Sequence, residues 1–159
     1  MYQSLFNFFR NYRIHFTLGA ALLFTVVGMV SCADDDRVEN PFLSDVQVNF
    51  TANLNLPQFS QLKFDNNTVE VSTDGIGIRG LIIHRVTENL FLAYERSDPN
   101  HSPNECSALM IEGNEVTCPC DSDDNRYNLI TGQPVSGGGQ YGLKPYRIEK
   151  TGNTLVISN

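Results

Sequence analysis

From Asp45 onward, apolar and polar residues alternate with a period of two. Val46, Val48, Phe50, Ala52 and Leu54 fall on one side of an extended segment, which predicts a strand with one face against a core. Leu62 and Phe64 run into Asp65-Asn66-Asn67, a turn signal, and Val69 and Val71 resume the alternation, so a hairpin is expected there. Gly75, Gly77 and Gly80 then interrupt the chain before the apolar run Leu81-Ile82-Ile83. Thr87-Glu88-Asn89 turns that run back into Leu90-Phe91-Leu92-Ala93-Tyr94. The C-terminus repeats the device, with Arg147-Ile148-Glu149 and Leu155-Val156-Ile157 on either side of Thr151-Gly152-Asn153. Past the first thirty residues no stretch sustains an amphipathic helical period over about eleven positions. Residues 45–159 are therefore expected to form one all-β domain of short antiparallel strands.

The beginning of the chain follows a different rule. Arg10 and Arg13 supply positive charge, no acid occurs before Asp34, and Phe16 to Val30 is an almost uncharged apolar run ending at Met29-Val30-Ser31-Cys32. A short apolar core after positive charge, closed by small residues, predicts a secretory signal over residues 1–31. The run is short for a bilayer span, which needs about 20 residues. A cysteine at the cleavage point resembles the bacterial lipobox, so Cys32 is the expected lipidation site. Asp34-Asp35-Asp36 behind it resembles the surface-export signal of Bacteroidetes lipoproteins. Residues 32–44 are expected to be an acidic tether, since charge runs without apolar partners stay solvated, with Pro41 preventing regular structure.

Removing the signal leaves 128 residues, enough for a single domain with its own core. It also leaves 18 acids against nine bases, a balance that keeps the surface soluble and repels phosphate backbones. Lys144, Arg147 and Lys150 are too few to form a nucleic-acid face. The motif G-x-S-x-G is missing, and no histidine pairs with a serine by a recognisable spacing, so the chain is not expected to be an enzyme.

The chemistry-bearing residues concentrate between Thr117 and Tyr146. Cys118 and Cys120 stand two apart, followed by Asp121, Ser122, Asp123, Asp124 and Asn125, then Tyr127 and a glycine cluster at Gly137, Gly138 and Gly139. Oxygen ligands at alternate positions would suit calcium, but the twelfth position counted from Asp121 is Gly132 rather than a glutamate. A solvated acidic loop is the plainer expectation. Glycine at 137–139 predicts a flexible segment.

These residues resemble the second half of a Rieske iron–sulfur domain, whose pattern is C-P-x-H-G-S-x-F-D, then T-G, then G-P-A-P. Cys118, Pro119, Cys120 and Asp121 match its start, and Thr131, Gly132, Gly137 to Gly139, Leu143 and Tyr146 follow. The resemblance extends back to about Gly80: Ala93-Tyr94 take the place of the family's alanine-aromatic pair, and Asp98-Pro99-Asn100 stand where Cys-Pro-His would. It implies a small antiparallel Rieske-like β-sandwich with two long loops, each supplying one thiolate and one imidazole to a [2Fe–2S] cluster. The family-equivalent metal positions here are Asp98, Asn100, Cys118 and Asp121; counting back from Tyr127 instead selects Cys120 and Asp123. Neither set contains an imidazole. His101 lies one residue past its expected place, and a shifted site of Cys106, Cys118 and His101 can also be written.

Some members of the family join two extra cysteines across the loops, and the resemblance assigns that disulfide to Cys106 and Cys120. Pairing of Cys106 with Cys118 stays open, whereas Cys118 and Cys120 would point apart in an extended segment. An exported protein retains such a bond. The expectation is an outer-membrane or cell-surface lipoprotein with a degenerate cluster site and no cofactor. It would contact the membrane through lipid on Cys32 and serve as a binding or structural module for a protein or glycan partner, with no nucleic acid. The alternative is an electron-transfer protein that holds a [2Fe–2S] cluster through non-standard ligands.

Overall fold

Pro57 sets the first departure from the strand pattern. It begins a 3-10 helix, Pro57–Lys63, because its fixed φ suits a first turn and its missing N–H is not needed there. Phe59 and Leu62, three residues apart, lie on one face of that helix and are buried. The expected hairpin from Leu62-Phe64 to Val69-Val71 is therefore not formed, and Phe64 stays 68% exposed. The turn at Asp65–Asn67 is present, with Asn66 at φ +59° and Arg85 donating to Asp65 Oδ1 at 2.8 Å.

The computed structural model describes residues 39–121 and 123–159. Cys32, the signal and the acidic triplet lie outside them. The strands are β1 (Asn49–Asn53), β2 (Asn67–Val71), β3 (Leu81–Thr87), β4 (Leu90–Glu95), β5 (Met110–Glu112), β6 (Glu115–Thr117), β7 (Arg126–Asn128), β8 (Pro134–Ser136), β9 (Pro145–Thr151) and β10 (Thr154–Ser158). Six of them form an antiparallel sheet in the order β1-β10-β9-β4-β3-β2. The other four form a smaller antiparallel sheet, β5-β6-β7-β8. Both hairpins expected around Thr87–Asn89 and Thr151–Asn153 are present.

The run Leu81-Ile82-Ile83 is apolar throughout because both faces of β3 are covered. Leu81 and Ile83 point into a core with Val48, Ala52, Leu62, Phe91, Leu155 and Ile157. Ile82 points the other way, into a second core with Tyr94, Leu109, Val116, Tyr127 and Leu129. That second core joins the large sheet to the small one. Residues Glu39–Asn159 make one compact unit. The tether's last residues are part of it: Leu43 is buried, and Asn40 donates to the Pro99 carbonyl at 2.8 Å. Two antiparallel sheets are the architecture that the Rieske resemblance implies, and they are what the chain forms, though three loops rather than two meet at one end.

Candidate functional site

Three loops leave the small sheet and meet. The first joins β4 to β5 and is pinched at its base by a Ser97–Ala108 bridge, with Asp98 N–H bonded to the Ser107 carbonyl at 2.8 Å. The second joins β6 to β7, closed by Cys118 N–H on the Asn125 carbonyl at 2.9 Å. The third joins β8 to β9 and carries Gly137 and Gly139. A Cβ on Gly137 would fall 2.5 Å from Asn125 Oδ1, and one on Gly139 would fall 2.5 Å from Asn100 Nδ2. Glycine is required there for close approach, not for the flexibility expected from sequence.

Asp98 is fully buried. Its Oδ1 accepts from Tyr127 Oη at 2.9 Å and from Asn100 N–H at 2.7 Å, and its Oδ2 accepts from Asn125 Nδ2 at 3.3 Å. The Asn100 amide is satisfied on both sides. It donates to Tyr127 Oη and the Tyr141 carbonyl, each at 2.8 Å, and accepts from Gln140 and Tyr141 N–H at 2.8 and 2.9 Å. One buried carboxylate and one amide thus tie all three loops together. Burial also pushes the Tyr127 hydroxyl well above its ordinary pKa, so it stays a donor.

Beside this network stands a second group. His101 Nε2 lies 3.3 Å from Cys118 Sγ and 3.3 Å from Asp123 Oδ2. Its Nδ1 lies 3.0 Å from the Ser102 carbonyl, an acceptor only, so Nδ1 carries a proton. Cys118 is a free, buried thiol. Burial pushes its pKa up to about 12, aided by the carboxylates of Asp98 and Asp123 and opposed by the Cys120 N–H. Cys106 and Cys120 are joined in a disulfide that spans the first two loops. Cys106 is therefore not available to the shifted Cys106, Cys118 and His101 site. A solvent-open cavity of about 700 Å³ lies over the loops, with Phe42, Asn100, His101, Asn125, Gln140 and Tyr141 among its walls.

Of the sequence-selected residues, Asp98, Asn100, Cys118, Cys120, His101 and Asp123 converge. Asp121 is exposed and outside the group. The register counted back from Tyr127 is thus the one whose carboxylate, Asp123, reaches the site. The acidic loop is only partly solvated, since Asn125 is buried. The sequence reading missed Glu95, a buried carboxylate just ahead of the first loop. It accepts from Ile78, Arg79 and Ser97 N–H at 2.8, 2.9 and 3.0 Å and from Tyr146 Oη at 2.8 Å. Its signal was faint: a lone acid ending an apolar strand.

No family model matches the chain, and no curated protein matches it. Solved structures do. The complex of reduced oxygenase and oxidized ferredoxin in carbazole 1,9a-dioxygenase is 18% identical at a TM-score of 0.46, covering 72% of this chain and 94% of that one. The ferredoxin of carbazole 1,9a-dioxygenase from Nocardioides aromaticivorans is 16% identical at 0.46, covering 71% and 97%. At these TM-scores and identities the likenesses carry no argument about this chain, and the fold and the chemistry of the site are read from its own residues.

Proposed function

We propose that this is a lipid-anchored protein of the bacterial cell surface whose Rieske-like domain works without a [2Fe–2S] cluster, as a binding module. The observation that carries it is the use made of the cluster-ligand positions. A Rieske cluster needs two thiolates and two imidazoles. Among the described residues the converging loops offer one free thiol, Cys118, and one imidazole, His101. Asp98 and Asn100 supply a carboxylate and an amide where the cluster needs a thiolate and an imidazole, and the Cys120 sulfur is bonded to Cys106. The residues do not fit the cluster.

What the loops do offer is the cavity. Its walls combine the polar side chains of Ser102 and Gln140, the latter an exposed amide, with the aromatic edge of Phe42 and Tyr141, whose rings meet at 6.2 Å. Amide donors and acceptors beside aromatic faces suit a hydroxyl-rich ligand, so of the two partner classes a glycan is favoured over a protein. The anchor would be the lipid on Cys32, with the acidic segment as spacer.

Protein lacking residues 1–31, prepared anaerobically, tests this reading. It should be colourless and free of stoichiometric iron and acid-labile sulfide. Stoichiometric sulfide with a rhombic paramagnetic signal on reduction would restore the electron-transfer alternative.

A further inference from the structure

We propose that Asp98, His101, Cys118 and Asp123 form a mononuclear site for a divalent transition metal of the zinc class. The proposal goes beyond the cluster-free reading and is independent of what fills the cavity. One ligand atom from each of the four residues lies within 4.8 Å of all the others.

The spacings within the group are compatible with a shared ion. Zinc binds nitrogen at about 2.0–2.1 Å, oxygen at about 2.0–2.2 Å and thiolate sulfur at about 2.3 Å. In a tetrahedron those bond lengths put a nitrogen about 3.3 Å from an oxygen and about 3.5 Å from a sulfur. His101 Nε2 is 3.3 Å from Asp123 Oδ2 and 3.3 Å from Cys118 Sγ. The two edges that radiate from His101, one to each neighbouring ligand atom, are therefore already close to tetrahedral length. Asp98 completes the group from the buried side. Its Oδ1 holds the short bonds to Tyr127 and Asn100, while Oδ2 has only the 3.3 Å contact from Asn125.

The charges point the same way. Among the described residues no lysine or arginine pairs with Asp98 or Asp123. The Ser102 carbonyl fixes the His101 proton on Nδ1, the arrangement that orients a metal-bound imidazole. The Nε2 lone pair then faces a carboxylate oxygen at 3.3 Å, which is repulsive unless a cation sits between them. A proton or a metal ion can fill that role. One thiolate and one imidazole beside two carboxylates suit zinc rather than calcium or magnesium. The disulfide withholds Cys120, so a second thiolate is not available. On binding, the Cys118 proton is released to solvent and the sulfur coordinates as thiolate. The cavity, which His101 and Asp123 line, gives the ion a path from solvent.

The test is titration of chelator-treated protein with Co²⁺ and Zn²⁺ under non-reducing conditions, so that the disulfide stays closed. Co²⁺ should bind one-to-one, with thiolate-to-cobalt charge transfer in the near ultraviolet and intense tetrahedral bands in the visible, both abolished by Zn²⁺. Cys118→Ser should remove the charge-transfer band. His101→Ala and Asp123→Asn should each weaken binding on the order of 100-fold, whereas Asp121→Asn should leave it unchanged. His101 is partly exposed, so its variant stays folded if Cys118→Ser does not. Absence of binding, binding without the sulfur band, or an Asp121→Asn effect equal to that of Asp123→Asn would overturn the proposal. Acid-labile sulfide in the starting protein would instead defeat the cluster-free reading.

Discussion

Glu95→Gln tests whether a buried carboxylate anchors the first loop. The native side chain is fully buried, has no cationic partner among the described residues and accepts from three backbone N–H groups and one hydroxyl. Glutamine keeps one acceptor oxygen. Facing Arg79 and Ser97, it would satisfy both, and its NH₂ would then confront Ile78 N–H and Tyr146 Oη. The tyrosine hydroxyl can rotate and accept, but the Ile78 N–H cannot. One part-buried donor is orphaned, costing up to about 1–3 kcal/mol, and the remaining bonds fall from charged to neutral strength. Release of a buried charge offsets part of this, leaving a net loss of about 2–4 kcal/mol. Urea unfolding should show a lower midpoint at unchanged slope. Tyr146→Phe, which removes one donor, should lie between the two. Equal or greater stability of Glu95→Gln would refute the reasoning, because it would mean that the four donors gain nothing from two carboxylate oxygens over one amide oxygen.

Removing the loop clasp should be as visible. The Cys106–Cys120 bond closes a loop with sequence separation 14, so Cys106→Ser with Cys120→Ser should cost about 3 kcal/mol in chain entropy, measured by urea unfolding against the oxidised parent. Alkaline pH should destabilise metal-free protein. Cys118 has its thiol pKa raised from 9.0 to about 12 in the fold, so between those values the unfolded chain has lost a proton that the native one keeps. Stability then falls as pH rises from about 9 to about 12. Tyr127 and Tyr146, also raised by burial, act in the same direction. Midpoints that do not move in Cys118→Ser relative to the parent over that window would exclude the thiol as a contributor. Labelled palmitate should tag the exported protein, and Cys32→Ala should block both tagging and processing.

Strand identity was most legible where one periodicity acted alone. The alternation around Val48–Leu54 could be read directly, because a side-chain period of two forces one face inward, and the two hairpins ending in Tyr94 and Ile157 could be read from apolar runs on either side of a turn signal. The 3-10 helix was missed although its signals were present, Pro57 and the three-residue spacing of Phe59 and Leu62. The individual strands of the small sheet were also missed, although a second sheet was implied by the resemblance. Those strands are three residues long, too short for alternation to register, and only Gly113-Asn114 hinted at a turn.

By itself the sequence determined the all-β class, the two-loop plan and the inventory of groups: one carboxylate-amide pair in the first loop, three cysteines across both and histidine one place out of register. Only the tertiary structure decided which of these meet. Asp98 and Tyr127 are 29 residues apart, and Asn100 and Tyr141 are 41, so their pairing depends on how two sheets share a core rather than on any local period. The same holds for Asp123 over Asp121. Neighbouring carboxylates in a loop have no fixed phase along the chain, and the choice between them is made by the Tyr127 core and the Cys120 clasp that orient the backbone around them.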